Sequence, residues 1–312
     1  MCCIHYRHVG GQVSTWLDRA KEYNGGRYSE SYVENTKALT RLLPLCILQV
    51  LYRICITQVA SGYFIQSMNT NLSLNGVLLP IAVMKILSII PILILAPCLE
   101  SINSFLFSRR GYGLQPGTSI VCGHVGAAFS LFVAGIYEIH RKWFPLVEQT
   151  LSGKVLLVSS MSCLHLAPQY ALLGVAEAMV APACSFIIFR LAPIRIRSIC
   201  MAVMTLFQAM GCFLGALLIR SVFIASEGDW YPTILSNGHL ERFFFVLASA
   251  MLLNSLAFWR ISHRYRDLDE HSDQGFRQSL LEENLLLHEK SLKFYDSVLD
   301  WPSPYTPMET RL

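Results

Sequence analysis

Residues 168–182 read PQYALLGVAEAMVAP and place Glu177 inside an apolar stretch that runs from position 155 to position 191. A carboxylate at membrane depth costs roughly 2.5–3.5 kcal/mol on insertion scales, so it ordinarily faces a bundle interior or a watery pathway. The stretch therefore predicts an integral membrane protein with a candidate substrate or proton site. Around it, the 312-residue chain is 53% hydrophobic and 15% charged, with mean hydropathy +0.44. Soluble domains carry charge nearer one residue in four.

Six apolar stretches are long enough to cross about 30 Å of hydrocarbon. They lie near 42–65, 77–99, 120–139, 155–189, 199–223 and 243–261. The fourth is too long for one straight crossing, and Pro168 marks a kink or an entry point. The expected fold class is an all-α membrane protein of six transmembrane helices. Its expected parts are a cytosolic segment 1–41, a six-helix region 42–262 and a largely disordered cytosolic tail 263–312.

Basic residues set the predicted orientation. Arg7, Arg19, Lys21, Arg27, Lys37 and Arg41 precede the first span; Arg109, Arg110, Arg190, Arg195, Arg197, Arg264 and Arg266 fall on the same side. The other side has Arg141, Lys142 and Lys154, and its first and last loops have no Lys or Arg. The positive-inside rule places both termini in the cytosol of a plasma or endolysosomal membrane protein. The sequon Asn71-Leu72-Ser73 then falls outside, as a glycosylation site or as a chance tripeptide. No secretory signal is expected, because residues 1–41 are polar and lack an apolar core.

The same composition excludes several functions. Net charge +4 resides in the cytosolic flanks and argues for no nucleic-acid partner. Most of the ten cysteines sit in predicted helices and read as small core residues, so neither zinc nor a disulfide framework is expected. Cys2 and Cys3 are candidates for palmitoylation, with chance the competing explanation. HExxH, GxSxG and phosphate-loop patterns are absent, so no enzyme is expected.

Polar side chains inside the spans mark the candidate site. Gln49, Arg53, Thr57 and Ser61 recur every four residues and draw a sloping polar stripe on the first span. Arg53 is too far from either end to snorkel easily. Lys85 and Ser88 lie one turn apart on the second, and Lys85 either faces inward or snorkels. On the fourth, Tyr170, Gly174, Glu177 and Ala181 share a face whose small residues admit a neighbour or a ligand. Burial disfavours the charged form of Glu177, which needs a partner or a proton. Two readings stand: a titratable, ligand-contacting carboxylate in a central cavity, or a structural ion pair, for example with Arg53. Pro80, Pro91, Pro97, Pro182, Gly211 and Gly215 punctuate the spans, as transporter helices tolerate.

The ordered series of motifs resembles the proton-coupled oligopeptide transporter family, in its solute carrier family 15 branch. Segments 16–26 and 33–44 are similar to that family's cytosolic lead into its seventh helix, and Gln58 with Phe64-Ile65-Gln66 continues it. Residues 168–177 resemble the tenth-helix signature; Ala192-Pro193, Ser198, and Glu138 with Arg141 follow the family's pattern. The resemblance implies the C-terminal six-helix bundle of a twelve-helix major-facilitator transporter. The family's first-helix E-x-x-E-R-F motif has no counterpart, and a truncated isoform or partial gene product is expected.

For the site, the resemblance implies that Glu177 meets a substrate's amino terminus. Arg53, beside Tyr52, stands where the family usually has a pocket aromatic, Ser88 where it has Asn or Asp, and Met204 where it has an aromatic residue. Ala181 and Phe186 replace a small hydroxyl residue and a glutamate. These substrate-binding candidates, Glu177, Arg53, Tyr52, Ser88 and Met204, retain the carboxylate anchor and lose much of the pocket. Ordinary di- and tripeptide selectivity is not expected.

The implied function is symport of small peptides or amino acids. A proton gradient replaces any cofactor, and alternating access needs the missing bundle. By itself the chain is expected not to transport. The alternative is a non-transporting membrane protein that binds partners through its tail or modulates a full-length relative. In the tail, 282–287 fits an acidic dileucine signal, 265–268 and 295–298 fit tyrosine signals, and Glu309-Thr310-Arg311-Leu312 fits a PDZ ligand through Thr310 and Leu312.

Overall fold

The computed structural model describes residues 16–59, 61–74, 76–110, 115–151, 154–231 and 238–262. Two 3-10 turns, Trp16–Ala20 and Glu22–Asn24, precede the first helix, α1 (Glu30–Ile56). Asp18 and Lys37 form a buried ion pair, and Lys21 lies 2.6 Å from Glu34. These contacts fasten the leading turns to α1. Glu34 beside Lys21 holds its ammonium well above the usual lysine range. The predicted N-terminal segment thus enters the first helix at Glu30, before the boundary at 41.

After a 3-10 turn, Thr57–Val59, the chain continues as α2 (Gly62–Met68). Short strands follow, β1 (Thr70–Asn71), β2 (Ser73–Leu74) and β3 (Val77–Leu78), then α3 (Ala82–Arg110) and α4 (Pro116–Lys142). Next come β4 (Leu146–Leu151), β5 (Lys154–Ser162), α5 (Ala167–Leu191), α6 (Arg197–Ala225) and α7 (Leu240–Ser262). A 27-residue helix such as α4 is about 40 Å long at 1.5 Å per residue, more than enough to cross. Six helices among the described residues have the length and hydropathy of membrane spans. The chain is a multi-pass membrane protein.

The fourth span corrects the sequence reading. Residues 155–162 are not helical: β5 pairs antiparallel with β4, from Leu146↔Ser159 to Leu151↔Lys154, and β1 adds in parallel on its other edge. The physical reason is a pairing partner. A short apolar run has no periodicity that separates strand from helix, and the neighbouring segment 146–151 supplies ladder hydrogen bonds. Pro168 sits in the first turn of α5, where its missing N–H costs nothing, so it starts the helix and does not kink it. Val77 and Leu78 are likewise strand residues, paired with β2, and the second span begins at Ala82.

Helix α5 touches α1, α3, α4 and α6. Lipid offers no hydrophobic drive for helix association, so close packing and interhelical hydrogen bonds must hold the bundle. Tyr52, Tyr63, Phe243, Phe244 and Phe258 fill its interior. A buried polar chain ties α2 to α4 and α5. The Gln169 amide donates to Gln66 Oε1 (2.9 Å), and Gln66 donates to the Ala134 carbonyl (3.1 Å). Ser130 donates to the Gln169 carbonyl (2.6 Å) and meets Tyr63 Oη at 2.8 Å. Glu138 and Arg141 form a second buried pair on α4, joined at 2.7 and 3.1 Å.

The cysteines divide. Cys46, Cys55, Cys163, Cys184 and Cys200 are buried as expected, whereas Cys98, Cys122 and Cys212 lie on the outer surface of their helices.

Candidate functional site

Glu177 is the eleventh of the 25 residues of α5, at the middle of its span. Its Oε1 lies 3.4 Å from Arg53 Nη1, and Arg53 Nη2 donates to Gln208 Oε1 at 3.3 Å. Arg53 therefore joins three helices: its own α1, α5 and α6. The pair is neither sealed nor fully solvated, with side chains 22% and 36% accessible for Arg53 and Glu177. Charge at this depth would be costly against acyl chains, so the accessible side suits a cavity or another protein surface.

Local sequence explains why the three side chains meet. Arg53 is in the last turn of α1, just before the 3-10 interruption, where a cation complements the helix dipole. Gly211 faces Arg53: a Cβ there would fall 2.7 Å from Arg53 Cβ and 2.8 Å from the Val50 carbonyl oxygen. One turn on, Gly215 packs on Thr57, completing a G-x-x-x-G face that brings α6 against α1. Gly174, one turn before Glu177, does the same for α5 against α3. A Cβ on Gly174 would lie 2.0 Å from the Ser88 carbonyl oxygen.

The other sequence candidates scatter. Tyr52 is buried, 2% exposed, and stacks on His124 with ring centres 5.1 Å apart. Successive residues on a helix are separated by about 100°, so Arg53 and Tyr52 cannot share a face. Ser88 donates to the carbonyl of Lys85 on its own helix and contributes its backbone, not its hydroxyl, to the α3–α5 contact. Met204 is buried, 4% exposed. Lys85 is exposed. The polar stripe on the first span also divides: Gln49 Nε2 lies 3.3 Å from His124 Nε2, whereas Thr57 donates to the Ile54 carbonyl.

Asn71 is partly exposed beside the β4–β5 hairpin, and its Oδ1 accepts from the Ser73 amide at 2.8 Å. Thr310, Leu312, the other tail motifs, Cys2 and Cys3 lie outside the described residues.

Two polar residues went unpredicted. Gln208 orients Arg53, and fully buried His124 lies between Tyr52, Phe258 and Gln49. Each was visible as a polar residue within an apolar span, at 199–223 and 120–139. Nothing in the local pattern says which partner either one reaches.

Six membrane-spanning helices that hold a partly accessible ionic pair make a membrane bundle with a candidate polar site. Residues 5–227 match the POT family (PTR2), and the chain belongs to that family. It is 52% identical to human solute carrier family 15 member 5 over 311 residues, covering 100% of this chain and 54% of that protein. It is 27% identical to protein NRT1/PTR family 7.2 of Arabidopsis thaliana, covering 82% of this chain and 44% of that protein. The fold matches an auto-inhibited POT family peptide transporter with TM-score 0.63 at 18% identity, covering 80% of this chain and 44% of that one. The POT family transporter PepTSo gives TM-score 0.61 at 18% identity, covering 78% of this chain and 45% of that one. A POT family transporter in complex with 5-aminolevulinic acid gives 0.56 at 15%, covering 76% and 43%. The chain spans about half the length of these relatives. Family and fold are those of solute carriers of the major facilitator type.

Proposed function

We propose that the chain forms the C-terminal wall of a proton-coupled transporter for small peptides or amino acids. The observation that carries this reading is the Arg53–Glu177 pair, with Glu177 at the middle of α5 and both side chains left partly accessible. A purely structural pair gains nothing from access, whereas a transport site requires it. The interruption of the first span immediately after Arg53 fits as well, because transporter sites are built at discontinuous helices. Relatives in complex with 5-aminolevulinic acid and with a thioalcohol-conjugated peptide support a small, polar, amine-bearing substrate.

In this reading a second bundle docks over the accessible face, and the two halves rock around the pair. Both termini face the cytosol. Protonation of carboxylates, Glu177 among them, biases the switch between outward and inward states. The test is uptake of labelled dipeptides and histidine into proteoliposomes, with and without an inward proton gradient. It is run for this chain and for this chain joined to the N-terminal bundle of a family member. Gradient-dependent uptake is expected only with the joined form; no uptake by either would remove the transport reading.

A further inference from the structure

The substrate class follows from how the site spaces its charges, and this inference rests on the transport reading above. Arg53 Nη1 and Glu177 Oε1 are 3.4 Å apart, so cation and anion stand side by side. A ligand that engages both must carry its own anion and cation equally close together. In an α-amino acid, ammonium and carboxylate flank one carbon. Each further residue of a peptide moves the two apart by about 3.3–3.6 Å.

The pair is poorly placed to widen for a longer ligand. Arg53 is braced by Gln208 through Nη2, and its stem is pressed against Gly211. The Nε of Arg53 is enclosed, without a hydrogen-bond partner. Glu177 rides on the helix that Gly174 locks against the Ser88 backbone. The Ser88 hydroxyl is committed to its own helix and offers no second polar end.

We propose that this site selects single α-amino-acid zwitterions over peptides. The ligand ammonium donates to the Glu177 carboxylate while its carboxylate accepts from Arg53 Nη1, so the zwitterion docks alongside the ion pair, antiparallel to it, without parting it. Both protein charges then keep a partner throughout, and Gln208 keeps the guanidinium aimed. Such charge-assisted contacts are geometrically demanding, which is what makes separation a selective feature.

The test uses the full chain in lipid nanodiscs, because Arg53, Glu177 and Gln208 all belong to it. The melting temperature is followed during titration with L-alanine, β-alanine, 4-aminobutanoate, alanyl-alanine, ethylamine and propionate. L-alanine is expected to act at the lowest concentration. Probes that lose one charged contact are expected to need about 10- to 100-fold more. R53Q should reduce alanine to the level of ethylamine, and E177Q to the level of propionate. Alanyl-alanine acting at or below the alanine concentration would overturn the selectivity while leaving peptide transport standing. Silence with every zwitterion would overturn this inference, while gradient-dependent uptake by the joined form would leave the transport reading standing.

Discussion

The Cα of Gly174 on α5 lies so near the Ser88 carbonyl of α3 that a Cβ would sit 2.0 Å from that oxygen. A backbone atom cannot swing aside as a side chain can. Gly126, by contrast, faces Ala176 with ordinary room, its virtual Cβ 3.6 Å away. Gly174→Ala should therefore destabilise the bundle by about 1–3 kcal/mol despite the better helix propensity of alanine. Gly126→Ala should be neutral or slightly stabilising. Thermal unfolding of both variants in nanodiscs checks this, and equal melting temperatures would refute the contact.

Arg53 and Glu177 should behave as a coupled pair. Breaking a sealed ion pair costs about 3–5 kcal/mol, and the partial access seen here lowers the expected single-variant cost to about 1–2 kcal/mol. Arg53→Gln and Glu177→Gln should each destabilise, and the double variant should recover about 1 kcal/mol relative to their sum. Strict additivity in the cycle is the outcome that would separate the two residues.

Glu138 and Arg141 provide the comparison, because both are buried, at 0% and 2% exposure. Arg141→Gln leaves a carboxylate enclosed and uncompensated, so a loss of about 3–5 kcal/mol is expected, well above that of Arg53→Gln. The same unfolding assay ranks the two. A larger effect at Arg53 would contradict the burial difference.

Labelling distinguishes strand from helix over 155–162. Val155 and Leu157 are each 63% exposed on β5. In proteoliposomes of mixed orientation, Val155→Cys and Leu157→Cys should react with a membrane-impermeant maleimide above the background of the parent chain. Ala176→Cys, buried against α4, should not. Protection of 155 and 157 would return those residues to the bilayer.

Much of the architecture was legible from hydropathy. Burying apolar side chains in lipid and satisfying every backbone group within a helix are local requirements, so six spans could be counted without a fold. The ends were less legible. Run 155–162 satisfied the hydropathy criterion for a span, yet its backbone found partners in 146–151 and 70–71. Pairing between separate segments carries no signature in either segment alone.

The site divides the same way. That Glu177 and Arg53 must face something other than lipid was fixed by their charge and their depth, properties of residue type and position along the chain. That they face each other, with Gln208 as the third member, depended on how α6 approaches α1 through Gly211 and Gly215. Packing likewise decided that the Tyr52 ring stacks on His124, that the Ser88 hydroxyl bonds its own helix and that Met204 is buried. A residue's chemistry is written in one letter, whereas the direction it points is settled by which neighbours leave room.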